Sequence, residues 1–250
     1  MTDKLDEAFA TTTNMLFGKP LAPLSKYSSW LSLRVPRGKT IKSCLGQGEA
    51  YLPDYGFFKK IPAQRTASLD DLERVWGKKI AEEDAQSLSS LIKALKKFAY
   101  FVPTYMEGRN INVQNTFGYI DCMNVRDSFD SFTSKNSAYA FSIMAEALFG
   151  GYRIAGASFS IHCYNCIKVQ RCFEMDGAKN CSDSLFCHNV ENLEHCMFCF
   201  NTKSKRYAVG NVEVGREIYI QLKNEFLKKI VPKLEKKGKL DFDIYDVLCT

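Results

Sequence analysis

The chain is short of histidine, the side chain that most often carries acid–base chemistry. Its 250 residues include only three histidines, His162, His188 and His195, and two tryptophans. No run of eighteen apolar residues occurs, which excludes a hydrophobic membrane-spanning helix and leaves no membrane among the expected partners. The opening residues, with Asp3, Lys4, Asp6 and Glu7, lack the apolar stretch of a signal peptide. A cytoplasmic, reducing location is therefore expected, or an assembly built there. Nucleotide-binding loops are missing as well. Gly38-Lys39-Thr40 matches the end of a phosphate-binding loop, but the required glycine five residues earlier is Leu33. Gly46 and Gly48 form only a fragment of a dinucleotide fingerprint. There is no glycine-rich nucleophile elbow and no distinctive carboxylate pair, so no catalytic residue is assigned and no enzyme is expected.

The chain has an ordinary globular balance, 46% hydrophobic and 25% charged, and a formal charge of +6 that permits an acidic partner without requiring one. It also has ten cysteines. At this length they do not make a small disulfide scaffold, so reduced thiols are expected.

The cysteines recur at a fixed interval. Cys166, Cys181 and Cys196 are spaced by fifteen, as are Cys172 and Cys187. Running backwards, Cys122, Ser137 and Gly151 continue the series at intervals of fifteen, fourteen and fifteen. Three residues into each unit stand Val125, Ala140, Ile154, Val169, Ser184 and Cys199; six residues in stand Ser128, Ile143, Ala157, Cys172, Cys187 and Thr202. Just before each unit come Asp121, Asn136, Gly150, Asn165, Asn180 and His195, mostly residue types that tolerate positive φ. Corners alternating with small or apolar side chains predict a mainly β fold, a single-stranded β-solenoid of about six 15-residue coils. A free thiol is small and apolar in behaviour, which suits stacking inside such a coil. Phe129, Phe159, Phe173, Phe186, Phe198 and Phe200 are available to fill corners. Met144 to Phe149 reads as a short helical insertion.

Four segments follow. Residues 1–60, with Pro20, Pro23, Pro36 and Pro53, read as an extended N-terminal arm, with a short strand over Leu31 to Val35. Residues 61–105 read as a helical cap over the first coil. Ser68 and Asp71 suggest a helix start, continued by Leu69, Leu72, Val75, Trp76 and Ile80. A second helix from about Asp84 has Leu88, Leu91, Ile92, Leu95, Phe98 and Ala99 on one face and Lys93, Lys96 and Lys97 elsewhere, with Pro103 as its limit. Residues 106–206 hold the solenoid. Residues 207–250 read as a C-terminal hairpin and helix cap: a turn at Gly210-Asn211, then a helix over 216–231 ending at Pro232, with Ile218, Leu222, Phe226, Ile230 and Val231 on one face. Its placement is expected to close the edge of the last coil.

Two chemical readings compete with the coil. Cys163-x-x-Cys166 and Cys196-x-x-Cys199 have the spacing of zinc knuckles, which makes a zinc-binding interaction module one alternative. The register already accounts for Cys166 and Cys196, however, and leaves Cys181 between them, so no metal ligand or cofactor is assigned. His162 beside Cys163 and Cys187 beside His188 raise a thiolate–imidazole pair, and with it an enzyme whose site lies on a coil face. Strand neighbours point to opposite faces, which argues against such a pair. Lys203, Lys205, Arg206 and Tyr207 form one small basic and aromatic cluster which, with the basic helix face of Lys93, Lys96 and Lys97, suggests nucleic acid as a partner, although solvated polar surface explains both.

The run Cys196-Met-Phe-Cys199-Phe200-Asn201-x-Lys203-x-Lys205-Arg206-Tyr207-x-Val209-x-Asn211 resembles a family of cysteine-rich repeat proteins of unknown function. In that family Cys-x-x-Cys and Asn-Cys units end in an Asn-x-Lys-Asn-Lys-x-Tyr-Cys-Ile-x-Asn-like sequence, and a Lys-rich amphipathic helix follows. The resemblance covers about residues 160–235. Ala208 stands where the family usually has Cys, and the additional N-terminal knuckles are missing. The resemblance implies a repeat fold and no activity. The expected function is a rigid structural subunit or docking surface among other protein subunits, for example a virion or multi-subunit complex component.

Overall fold

Every third residue along most of the segment from Asn112 to Gly210 has a left-handed backbone, with φ near +50° at Asn165, Lys168, Arg171 and Glu174 and again at Asn180, Asp183 and Phe186. Each such residue turns the chain, so a repeating triplet results: one side chain inward, one outward, one at a corner. Four triplets close one coil. Ile161 pairs in parallel with Phe173, Phe173 with Leu185, and His188 with Phe200, a register of twelve residues. The computed structural model, which describes residues 3–97 and 99–246, thus shows a mainly β protein. Its four-sided β-solenoid has about nine coils over residues 106–209 and helices flanking it in sequence. At about 4.8 Å per coil the rod is roughly 40 Å long.

The expected solenoid is present, and its period is twelve rather than fifteen. The reason lies in the triplet. Fifteen is a multiple of three, so a residue fifteen further on is still inward, but it lies one side further round the coil. Cys166 therefore has Ala178 in its column, and Val169 pairs with Cys181, so Cys166, Cys181 and Cys196 do not form a vertical ladder. The corners at Asp121, Asn136, Gly150, Asn165, Asn180 and His195 all have positive φ, as the spacing predicted. The interval of fourteen before Gly151 is also real: where Lys135 pairs with Glu146 and Ala138 with Phe149, the coil shortens to eleven. Ile143, displaced by this step, is exposed instead of inward. Met144 to Phe149 is not a helical insertion; Glu146–Ala155 is a strand with corners at Ala147, Gly150 and Arg153.

The first 35 residues are not an extended arm. Helix α1 (Lys4–Phe17) starts at an Asp3 cap, whose carboxylate accepts from the Leu5 amide at 3.0 Å, and stops at Gly18 with φ +71°. Helix α2 (Leu24–Leu31) begins directly after Pro23, so the proline precedes an element rather than breaking one. Leu31 to Val35 is the end of α2 and a turn, not a strand. Both helices pack on the solenoid. Phe9 meets Phe149 with centroids 5.1 Å apart, and Phe17 meets Phe173 at 5.0 Å. The phenylalanines of the repeat do not enter the coil. Phe173, Phe186 and Phe198 point outward into a second core shared with α1, α2 and the C-terminal helix. Each fully buried ring there is worth about 1.5–3 kcal/mol.

Residues 36–106 form a second compact unit. It contains an antiparallel hairpin, β1 (Gly38–Lys42) and β2 (Glu49–Pro53), short 3-10 turns and helix α3 (Leu88–Leu95). Ser68 does cap a helical start, accepting from the Asp71 amide at 3.2 Å, but only a 3-10 segment over Leu69–Arg74 follows, and Trp76 is exposed. The second helix starts at Ser87 rather than Asp84, and Leu88, Ile92 and Leu95 on its apolar face are exposed; Phe98 lies outside the described residues. Gly46 and Gly48 serve this unit's own packing. A Cβ on either would fall 2.1–2.2 Å from the side chains of Asp71 or Ser68.

The hairpin at Gly210-Asn211 is present: Val209 pairs with Val212 and Ala208 with Glu213. Helix α4 (Arg216–Lys237) continues through Pro232 and ends at Gly238. It lies against the outward side of the last coils, with Phe226 5.5 Å from Phe186 and 5.2 Å from Phe198.

Candidate functional site

Inside the coil, Cys163, Met175, Cys187 and Cys199 stack in one column, and Cys172, Ser184 and Cys196 in the next. All are fully buried. Small polar side chains have a task at these positions, because the corners leave backbone groups that the ladder does not satisfy. Ser160 accepts from the Cys172 amide and Ser184 from the Cys196 amide, both at 3.1 Å, each bridging to the next coil. The Cys166 thiol donates to the Tyr164 carbonyl at 3.0 Å, and the Cys122 thiol to the Ser131 carbonyl at 3.0 Å. No buried side-chain nitrogen or oxygen among the described residues lacks a partner. Burial raises the thiols of Cys163, Cys172 and Cys187, and pushes Cys181 up to about 11.

The two Cys-x-x-Cys pairs are three coils apart, since Cys163 and Cys199 differ by three steps of twelve in one column. At about 4.8 Å per coil that is roughly 14 Å, too far for one tetrahedral ion with bonds of about 2.3 Å. No group of three or more His, Cys, Asp and Glu side chains among the described residues is placed to hold a metal.

The histidines stand on the outside. His162 is a corner residue that faces the helices, whereas Cys163 faces the interior. His162 Nδ1 lies 2.6 Å from Glu174 Oε1, and its Nε2 lies 3.2 Å from the Trp30 carbonyl. A carbonyl only accepts, so Nε2 carries a proton, and the Nδ1–carboxyl contact shares one more. The second Glu174 oxygen accepts from the Ile244 amide at 3.0 Å. The pair is fully buried, one coil apart, and ties α2, the coil and the C-terminal tail together. Gly150, one coil below His162, leaves the necessary room: a Cβ there would sit 2.6 Å from the Leu31 carbonyl oxygen. His188 likewise points away from Cys187, toward Asp176 at 2.9 Å.

The uncovered sides are laddered. Asn112 donates to Asn124 and Asn124 to Asn136, at 3.0 and 2.8 Å, and Asn189 donates to Asn201 at 2.8 Å. The basic cluster is largely matched across coils: Lys203 pairs with Glu191 at 3.0 Å and Arg206 with Glu194 at 3.2 Å.

A groove runs between the end of α1 and α4. One part, of about 400 Å³, is lined by Met15, Phe17, His195, Tyr207, Arg216, Ile220 and Lys223. A neighbouring part, of about 470 Å³, shares Phe17, Gly18, Asn224 and Leu227 with it and adds Lys19, Lys228 and Glu235. His195 lies flat on Tyr207 with centroids 4.9 Å apart. Burial lowers the Lys223 ammonium pKa. This groove gave no sequence signal, because its residues come from both ends of the chain.

No family model matches the chain, and no curated protein matches it.

Proposed function

We propose that the chain is a non-enzymatic structural subunit, a rigid docking scaffold within a larger protein assembly such as a virion or other multi-subunit complex, in a reducing compartment. The supporting observation is the unbroken stack of coils. Its interior is packed with thiols, serines and aliphatic side chains that leave no unpartnered buried side-chain nitrogen or oxygen among the described residues. One side is clad by the chain's own helices, while others present fixed rows of Asn, Lys and Glu. Close packing of this kind resists deformation, which suits a spacer better than a moving part. The nine free thiols among the described residues, eight of them buried, fit a reducing environment. The test is purification from the producing cell under native, reducing conditions, with mass measured by light scattering. A stable complex with one protein partner at constant stoichiometry is expected. A lone monomer that captures no partner overturns the proposal.

A further inference from the structure

Resting on the docking reading, we propose that the groove between α1 and α4 receives an acidic, amphipathic peptide segment of the protein partner. The two parts share four lining residues, so they form one channel. Its wall on α4 runs from Arg216 to Glu235, about 28 Å at 1.5 Å per residue. That length suits an extended or helical segment, whereas a small anion would occupy one end only. The floor is apolar, and Met15 and Ile220 within it are 46% and 42% exposed. The rim is basic. Arg216 and Lys223 stand seven residues apart along α4, and Lys228 follows. Among the described residues, the only carboxylate lining the groove, Glu235, is paired with Lys19 at 2.6 Å. Asp183, which faces Lys223, is held by Arg171 through two hydrogen bonds of 2.7 Å. A partner carboxylate would supply the counter-charge that Lys223 lacks, while apolar side chains of the same segment cover Met15 and Ile220.

The experiment uses the full chain and a fluorescein-labelled synthetic helix of about 18 residues, roughly 27 Å long, with leucines on one face and glutamates on the other. Fluorescence anisotropy should show saturable binding that weakens with salt. It should be weaker by about tenfold or more for the R216E/K223E variant, and by a smaller factor for R216Q/K223Q. Lys168→Glu, at an exposed corner of the coil, should bind as the parent does, and unchanged circular dichroism should confirm that every variant is folded. The proposal falls if the acidic helix does not bind, if R216E/K223E binds it equally, or if a lysine-for-glutamate helix binds as well. It also falls if inorganic phosphate at matched ionic strength displaces the helix, which would make the groove a small-anion site. If the natural partner co-purifies with R216E/K223E undiminished, the docking function stands and only this placement is lost.

Discussion

A cysteine facing the interior of this coil is used for its size and its weak hydrogen bond, as Cys122 and Cys166 show by donating to the Ser131 and Tyr164 carbonyls, each next to a corner. Burial opposes ionisation of Cys163, Cys172, Cys181 and Cys187, so the folded state holds their thiol protons more tightly than the unfolded chain does. For Cys181 the shift is from 9.0 to about 11. Because the folded value is the higher one, this contribution to stability is complete below pH 9 and is lost as pH rises from 9 toward 11. Urea midpoints under reducing conditions should therefore decline progressively across that interval. In the folded protein a thiol reagent should modify the exposed Cys44 well before the eight buried described cysteines. Rapid modification of all the thiols would contradict the filler role.

Between elements, the Glu174 carboxyl does the joining. It meets His162 from its own sheet and the Ile244 amide from the tail, while His162 reaches the Trp30 carbonyl at the end of α2. Removing one partner of this buried hydrogen-bonded pair leaves the other's polar atoms unsatisfied, at a cost of about 1–3 kcal/mol. Glu174→Ala is expected to lose stability on that scale by denaturant titration. Glu174→Gln should lose less, because its amide oxygen can still accept from Ile244. Hydrogen exchange should locate the damage in 238–246 and around Trp30, whose ring lies 4.5 Å from that of His162. Damage spread evenly over the coils would mean that the pair does not act as a tie between elements.

At the scale of the molecule, the twelve-residue coil is the unit of construction. Deleting residues 123–134 removes one whole coil and keeps every column in line, since Met123 and Lys135 occupy the same column. The shorter rod should still unfold cooperatively. Deleting residues 123–137 removes five triplets. Inward side chains stay inward, but residues 107–122 turn by one side relative to everything after the cut, so Asn112 comes to face Tyr139 instead of an asparagine and the asparagine ladder is broken. That variant should lose cooperative unfolding, as followed by circular dichroism. Equal behaviour of the two deletions would refute the four-sided coil.

The letters alone determined that this is a coil with small, often sulfur-bearing side chains inside and Asn, Asp or Gly at many corners. That preference is local and repeats often enough to read. They did not determine the period, because fifteen and twelve are both multiples of three, and orientation repeats with every triplet. Only hydrogen-bonded pairing between coils, such as Ile161 with Phe173, distinguishes them. The helices at the start were legible in the Asp3 cap and the Gly18 stop, yet Pro20 and Pro23 masked them by marking boundaries that resemble an irregular arm. The His162–Glu174 tie and the groove beside α4 had no local signature. Each depends on contacts between residues seventy or more positions apart, Glu174 with Ile244 and His162 with Trp30 in the tie, and such proximity is decided by which faces of the finished coil the terminal segments bury.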